Sequence, residues 1–466
     1  MAAVEFVESG ELDLDVEVDA DDGGAPAPRA RGWRRIHRVW PFALVAVVVA
    51  GVYVMAAARE SARVEARTAL LLSQGGYISG LGPEMGLAWT LDDVQGKGYV
   101  GWVDETLVLQ GTEEGLFAVD LGTGDTRWQV PIEADDLYHC WEDAEGPDGT
   151  MLLCGRYSLA GSQEDGIYPF GYVIEQRDAA TGELLASRET DGHLSVSWWG
   201  NDLLVLDEAD GTLELRLESL EGEVRWALPV PGPTTSDTAA WVDPSADMAI
   251  LRGARHLAVD RDGQVLFERP TSAEHDPTDP GGFIEYLSTM REGFVLSRYG
   301  GEQSSVAIFD EHGALQLDTE GYLASPMADD GSAPGLVVTQ PLWGLAVWDR
   351  VTAQTVLEID GQPESLLLIL HGALIYQRDG ELRAVDLSTG TERWQTEMRQ
   401  SEILGTDGEV LVIDDRLSHG RLRGISAHTG TDLWEYPLPN LDTSAFVAGG
   451  ALLLDDGQRL MRLTSE

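Results

Sequence analysis

Two cysteines, Cys140 and Cys154, are the only thiols in a chain of 466 residues. They flank the turn-rich segment EDAEGPDG, so a hairpin cross-link is expected outside the reducing cytoplasm, the alternative being two buried free thiols. With His139 they would make three zinc donors, one short of a closed structural site. DEADG (Asp207 to Gly211) and DRDG (Asp260 to Gly263) resemble pieces of a calcium loop but lack the remaining positions and the terminal Glu. Both stand where hairpin turns are expected. The nine histidines show no metal spacing, and no nucleophile elbow or phosphate loop is present. Carboxylate pairs carry no weight in a chain with 80 acidic and 31 basic residues, net charge −49. That charge repels phosphate backbones and excludes a nucleic-acid partner. No catalytic residue, metal site or cofactor is assigned, and the expectation is a protein that is not an enzyme.

The elements that could position a site come from a repeat. AVDLGTGDTRWQV, Ala118 to Val130, returns as AVDLSTGTERWQT, Ala384 to Thr396. Within the second copy, ALIYQR and ELRAVDL are strand-like runs joined by Asp379-Gly380, a hairpin signal, and TERWQT follows a second turn at Gly390. Equivalent turn positions fall at Gly124, Gly182, Gly222, Gly263, Gly313, Ala353, Gly390 and Gly430. Four residues after them stand Trp128, Ala186, Trp226, Phe267, Leu317, Leu357, Trp394 and Trp434, all apolar. Trp128, Trp226, Phe267, Trp394 and Trp434 are therefore read as packing residues rather than as a ligand site. An Asp commonly precedes the turn and is expected to bind its backbone.

A period near 40 residues with short antiparallel strands predicts an all-β propeller, in which stacked four-stranded sheets bury one another's faces. GLAWTLDD, Gly86 to Asp93, looks like the last segment of a unit with nothing before it. Ala445 to Leu463 looks like a unit lacking that segment, and pairing the two would close the ring. Eight complete units and a split one are countable, but those around Ala186 and Ala353 are degenerate, and the expectation is about eight blades.

The first 85 residues lie outside the repeat. Residues 1–39 form an acidic tail, including LDLDVEVD (Leu12 to Asp19), that ends in a segment with five arginines, Arg29 to Arg38. Trp40 to Ala58 is uncharged and nineteen residues long, near the ~20 needed to cross hydrocarbon. The arginine asymmetry predicts a cytoplasmic N-terminus and an extracytoplasmic remainder. A cleaved signal peptide is the competing reading, disfavoured by the length of the run and of the leader before it. Residues 59–85 are expected as a stalk and 86–466 as the propeller.

AVDLGTGDTRW, AVDLSTGTERW and SAHTGTDLW resemble the repeat of quinoprotein-type β-propellers, the family of the pyrroloquinoline-quinone (PQQ) dehydrogenases and of the outer-membrane assembly lipoprotein of the BAM complex. The resemblance covers about Gly86 to Leu463 and implies that Trp128, Trp226, Trp394 and Trp434 dock between blades. Catalytic members hold quinone and calcium beside a disulfide of adjacent cysteines. Here the cysteines are not adjacent and no calcium constellation is recognisable, which points to the non-catalytic branch. The use of a single lysine, Lys97, suggests a GC-rich, actinobacterial genome. The function expected is a membrane-anchored scaffold or sensor whose propeller binds a protein or an envelope polymer; the alternative is a quinone-dependent dehydrogenase. The insertions Ser158 to Gly171 and Thr271 to Gly282, with Tyr168, Phe170 and the pair Trp198-Trp199, are candidate contact regions.

Overall fold

The computed structural model describes residues 53, 55, 58–59, 61–64, 66–72 and 76–465, the last stretch apart from 95–96, 104, 112–114, 133–135, 142–150, 159–172, 191–192, 210, 235–237, 244–245, 273–283, 301–303, 342, 362–364 and 400. It divides into two units, Met1–Arg63 and Val64–Glu466. In the first unit the described residues are helical. The acidic tail and, apart from Tyr53, Met55 and Ala58, the expected membrane helix lie outside the described residues. Among the described residues no helix is long and apolar enough to cross a membrane.

Strand pairing in the second unit gives nine sheets, each with a four-stranded antiparallel core, rather than the expected eight or so. In chain order the blades span 97–130, 136–189, 195–230, 239–270, 284–320, 322–360, 365–397 and 402–437, and the ninth combines 444–465 with 85–92. The undercount came from units whose turn or docking residue is degenerate. Ala353 takes φ 53, the left-handed turn conformation, in spite of its Cβ. The blade around it still pairs fully, because the ladder bonds are made by backbone whatever the side chain.

The ninth blade closes the ring. Its outer strand, Met85–Asp92, pairs antiparallel with Arg459–Ser465, so the two chain ends of the repeat region share one sheet. The inner strands of the blades are runs of apolar residues buried on both faces, as in Ala373–Arg378 and Val410–Asp414, whereas the outer strands alternate, as in Glu392–Glu397; the apolar faces meet the neighbouring blades. Nine buried apolar clusters result, one for each gap between blades. Across the closing gap, Trp89 and Leu453 of the ninth blade pack with Leu107 and Val119 of the first.

The repeat's tryptophan supplies most of what is regular in those gaps. Trp128 is buried and its indole N–H donates to the Ala179 carbonyl in the next blade's turn at 2.8 Å. Half-buried Trp226 donates to Arg261 O at 2.9 Å, and buried Trp394 to Ala427 O at 3.0 Å. The rings lie against the following turn glycine: a Cβ on Gly182, Gly263 or Gly430 would come within 3.0 Å of Trp128, Trp226 or Trp394. These glycines thus combine a left-handed φ with close approach of an indole. Phe267 fills the same place with no hydrogen bond to give, packed against Phe294 and Phe309. Trp89, left out of the sequence-based set, completes the series by docking on Gly124 and donating to Leu121 O at 2.8 Å.

Trp434 differs from the others. The blade it meets is the split one, in which no turn joins the third strand to the fourth. It is buried against its own blade's Gly424, and its indole nitrogen has no hydrogen-bond partner. Where an Asp precedes the turn it binds backbone as expected: Asp386 accepts from the Ser388 and Thr389 amides and, through its other oxygen, from Arg393. Ser388, Arg393 and those amides hold its carboxyl well below the usual carboxylate range.

The difference between the tryptophans predicts a difference in stability. Trp394→Phe loses a buried hydrogen bond and orphans a carbonyl, and should cost about 1–2 kcal/mol in urea unfolding. Trp434→Phe removes an unsatisfied donor and should fall within ~0.5 kcal/mol of the parent or above it. Equal losses would contradict the split-blade geometry.

Candidate functional site: the distal face

Antiparallel order gives the ring two unlike faces. The turns between first and second strands and between third and fourth strands gather on one, here called proximal. The turns between second and third strands and all blade-to-blade connections gather on the other, the distal face.

The N-terminal part of the second unit packs on the proximal face. Ile78 N–H bonds Thr406 O, Thr406 N–H bonds Gly76 O, and Ser79 bonds the Gly450 carbonyl. Leu71 and Ile78 are buried in the gaps around blade eight, so the segment expected as a stalk is seated on the ring at both of these residues. Ala328–Asp329 likewise adds a short parallel strand to the inner edge of blade seven. Both cover strand edges that would otherwise present unpaired backbone.

A cavity of about 510 Å³ opens on the proximal side among blades four to seven, lined by Leu70, Met248, Met290, Arg291, Asp329 and Arg350 among others. Two of its carboxylates are paired, Asp329 with Arg291 and Glu292 with Arg350, and the third, Glu311, is exposed to solvent. Calcium with a quinone needs free oxygen donors converging on one point. The residues present do not fit that group, and no reaction step is derived through it.

The distal face collects the exposed apolar side chains. Away from the helical segment and the outermost strands, the exposed large hydrophobic residues are Tyr99, Leu137, Leu194, Tyr286, Tyr322, Trp343, Val351, Leu417 and Leu441. All but Val351 sit at distal ends of strands or in distal turns and connections. The densest part spans blades four to six. The Arg252 guanidinium lies 4.5 Å above the Tyr286 ring, Tyr286 meets Tyr299 edge-on at 5.4 Å, and Tyr299 stacks on Tyr322 at 5.4 Å. Trp343, 75% exposed, stands in the distal turn of blade six.

The described residues that flank the two insertions, Ser158 and Val173, and Ser272 and Ile284, stand on this face; 159–172 and 273–283, and with them Tyr168 and Phe170, lie outside the described residues. Ser272, next to the second insertion, is held by Glu285, buried in the first strand of blade five. Its carboxylate accepts from the Ser272 amide at 2.7 Å and from Arg298 at 2.8 Å, with His256 at 3.4 Å. Burial alone would raise this carboxyl, but His256, Ser272 and Arg298 outweigh it and hold it at about 2.

The other sequence candidates serve structure. Trp199 is buried, its indole donating to Asp247 at 2.6 Å, and Trp198 packs in the gap between blades two and three. Cys140 and Cys154 are adjacent across two paired strands of blade two and joined by a disulfide, which removes both thiols from any zinc set. Asp260 accepts from the amides of Asp262 and Gln264, as a turn residue does, and Asp207 pairs with His193 and Arg216. Arg252, Tyr286, Tyr299, Tyr322 and Trp343 were missed. Their only shared sequence signal is a place at strand ends on one side of the ring.

A closed ring of radially stacked four-stranded sheets defines a β-propeller. The family described as outer membrane protein assembly factor BamB matches residues 50–228 and 342–465, well over half of the chain, and the chain belongs to that family of PQQ-like propellers. No curated protein matches. Among solved structures, BamB from Moraxella catarrhalis is 12% identical with a TM-score of 0.39, over 82% of this chain and 98% of its own. Quinohemoprotein alcohol dehydrogenase from Comamonas testosteroni is 14% identical with a TM-score of 0.39, over 82% and 76%. The C-terminal WD40 domain of Sif2 is 11% identical with a TM-score of 0.42, over 83% and 100%. Likenesses of this degree assign no activity, ligand or partner.

The depressed Glu285 pKa carries a sign. A carboxylate held below its ordinary value, about 4.3, contributes stability that is full above that value and is lost as pH falls through the folded pKa of about 2. Melting temperature should therefore drop more steeply between pH 5 and 2 for the parent than for Glu285→Gln. Parallel curves would remove Glu285 from the account.

Proposed function

We propose that this protein is a single-pass envelope protein, anchored by Trp40 to Ala58 with its N-terminus in the cytoplasm, whose extracytoplasmic propeller binds a protein partner on its distal face without catalysis. The observation that carries the reading is the concentration of exposed aromatic and leucine side chains on that face. Exposed apolar side chains gathered on one face of a module favour that face as an interaction surface. Aromatic and arginine side chains, as in the Arg252–Tyr286–Tyr299–Tyr322 row, supply the most binding energy per residue at such sites. Connectivity agrees with this assignment: the first residues of the second unit are seated on the proximal face, so the chain enters the ring on the side opposite the proposed surface.

The domain plan follows: residues 1–39 cytoplasmic, 40–58 in the membrane, 59–85 linking, and 86–466 forming the propeller. Membership in the BamB family supports a binding module over an enzyme. The paired carboxylates of the proximal cavity weigh against the dehydrogenase alternative.

Two positions test the reading together. Trp343→Cys should react with a membrane-impermeant maleimide in intact spheroplasts. A photo-crosslinking residue at position 343 or 322 should capture a discrete protein adduct in cells, and one at position 351 should not. Labelling only after lysis would contradict the topology, and adducts at 351 alone would contradict the choice of face.

A further inference from the structure

Three side chains far apart in sequence meet where blades seven and eight adjoin on the proximal face. His371 lies in the turn between the first and second strands of blade seven. Glu409 lies in the corresponding turn of blade eight, and His428 in that blade's turn between third and fourth strands. Their potential ligand atoms all lie within 4.8 Å of one another. The Nε2 of His428 is 3.0 Å from Glu409 Oε2, the Nε2 of His371 is 3.6 Å from Glu409 Oε1, and the two imidazoles stack at 3.9 Å. No local spacing reveals the set, since 38 and 19 residues separate its members; the blade repeat brings them together.

We infer that His371, Glu409 and His428 form a binding site for a divalent transition metal, of the zinc class, that clips blade seven to blade eight. Two imidazoles and a carboxylate are a borderline donor set suited to zinc, and three protein ligands leave a fourth position to water. Glu409 and His428 are exposed enough to admit the ion from solvent.

The surroundings of His371 point the same way. Its backbone holds φ 53, a left-handed conformation that costs a residue with a Cβ on the order of 1 kcal/mol or more and persists where the neighbourhood enforces it. Asp330 enforces it: this buried carboxylate accepts the His371 amide at 2.9 Å, and the Ser332 hydroxyl takes the next amide, Gly372, at 2.6 Å. The same Asp330 oxygen stands 4.0 Å from His371 Nδ1. His371 Nε2 is 2.7 Å from the Gly408 carbonyl, which can only accept, so this contact needs the ring proton on Nε2. On metal binding that proton moves to Nδ1, towards Asp330, and the Nε2 lone pair takes the ion. A metal-bound imidazole backed by a carboxylate is the arrangement that fixes tautomer and ring orientation. The consequence is mechanical. A Cβ on Gly408 would lie 3.0 Å from Leu71, so the site adjoins the point where the N-terminal segment seats on the ring.

The test uses the full chain without a polyhistidine tag, stripped with chelator and titrated with zinc by calorimetry and with cobalt(II) by visible absorption. One ion per chain should bind, with cobalt bands in the range of four-coordinate nitrogen and oxygen ligation, and zinc should raise the melting temperature. His428→Ala and Glu409→Gln, both exposed changes that leave the fold intact, should each weaken binding at least ~10-fold and abolish the zinc-dependent melting shift. Asp330→Asn should weaken cobalt binding while the band shape persists, a readout that a merely structural role would not move. A parent that takes up no stoichiometric zinc or cobalt overturns the inference, and so do His428→Ala and Glu409→Gln proteins that bind like the parent.

Discussion

The fold depends on one contact that recurs at six of the nine gaps: a large apolar side chain on the outer strand of one blade laid against the turn glycine of the next. A single four-stranded sheet cannot bury both faces, so each blade is stable only against its neighbours. The docked tryptophan meets that need with area and with direction. Its ring covers the glycine, and its N–H fixes the register by reaching one carbonyl in the following turn, as Trp128 does at Ala179 and Trp394 at Ala427. Because the glycine must have positive φ and must also lie against the docked side chain of the preceding blade, Trp89 at Gly124 and Leu357 at Gly390, the sequence around it is narrowly constrained. That double constraint explains why AVDLGTGDTRWQV and AVDLSTGTERWQT are so alike.

Closure follows from the same contact. The split ninth blade draws its outer strand from Met85–Asp92, and Trp89 on that strand docks on Gly124 of the first blade. The opposite side of the split blade shows what its division costs. Trp434 has no turn to receive its N–H and is buried without an acceptor. The rigid ring then sorts function by strand direction. One face receives the N-terminal segment, and the other presents the exposed aromatic row. Membership in the BamB family agrees with a scaffold of this kind.

The fold was legible in the sequence because its determinants are local: glycine-containing turns, strand-like runs between them and a tryptophan at a fixed offset. The blade count was less legible. Ala353 adopts a glycine-like φ, and Ala186 leaves Gly222 with nothing packed against a prospective Cβ, so two complete blades looked degenerate. Trp89 was visible as part of an orphan segment, yet its docking on Gly124 depends on ring closure. The sites were the least legible. Arg252, Tyr286 and Tyr322 come from three blades, and His371, Glu409 and His428 from three turns, so their neighbourhoods exist only once the ring is assembled. The paired cysteines were the exception, since two thiols flanking one turn face each other as soon as the hairpin forms.

Native-state hydrogen exchange on Met85–Asp92 tests the central claim most directly. If this strand closes the ring, its amides paired to Arg459–Ser465 should exchange only through global unfolding, at the rate of the interior strands of the ninth blade. Exchange of Met85–Asp92 at a markedly lower opening free energy, with the other blades still protected, would mean that the ring stands without it and would contradict the account.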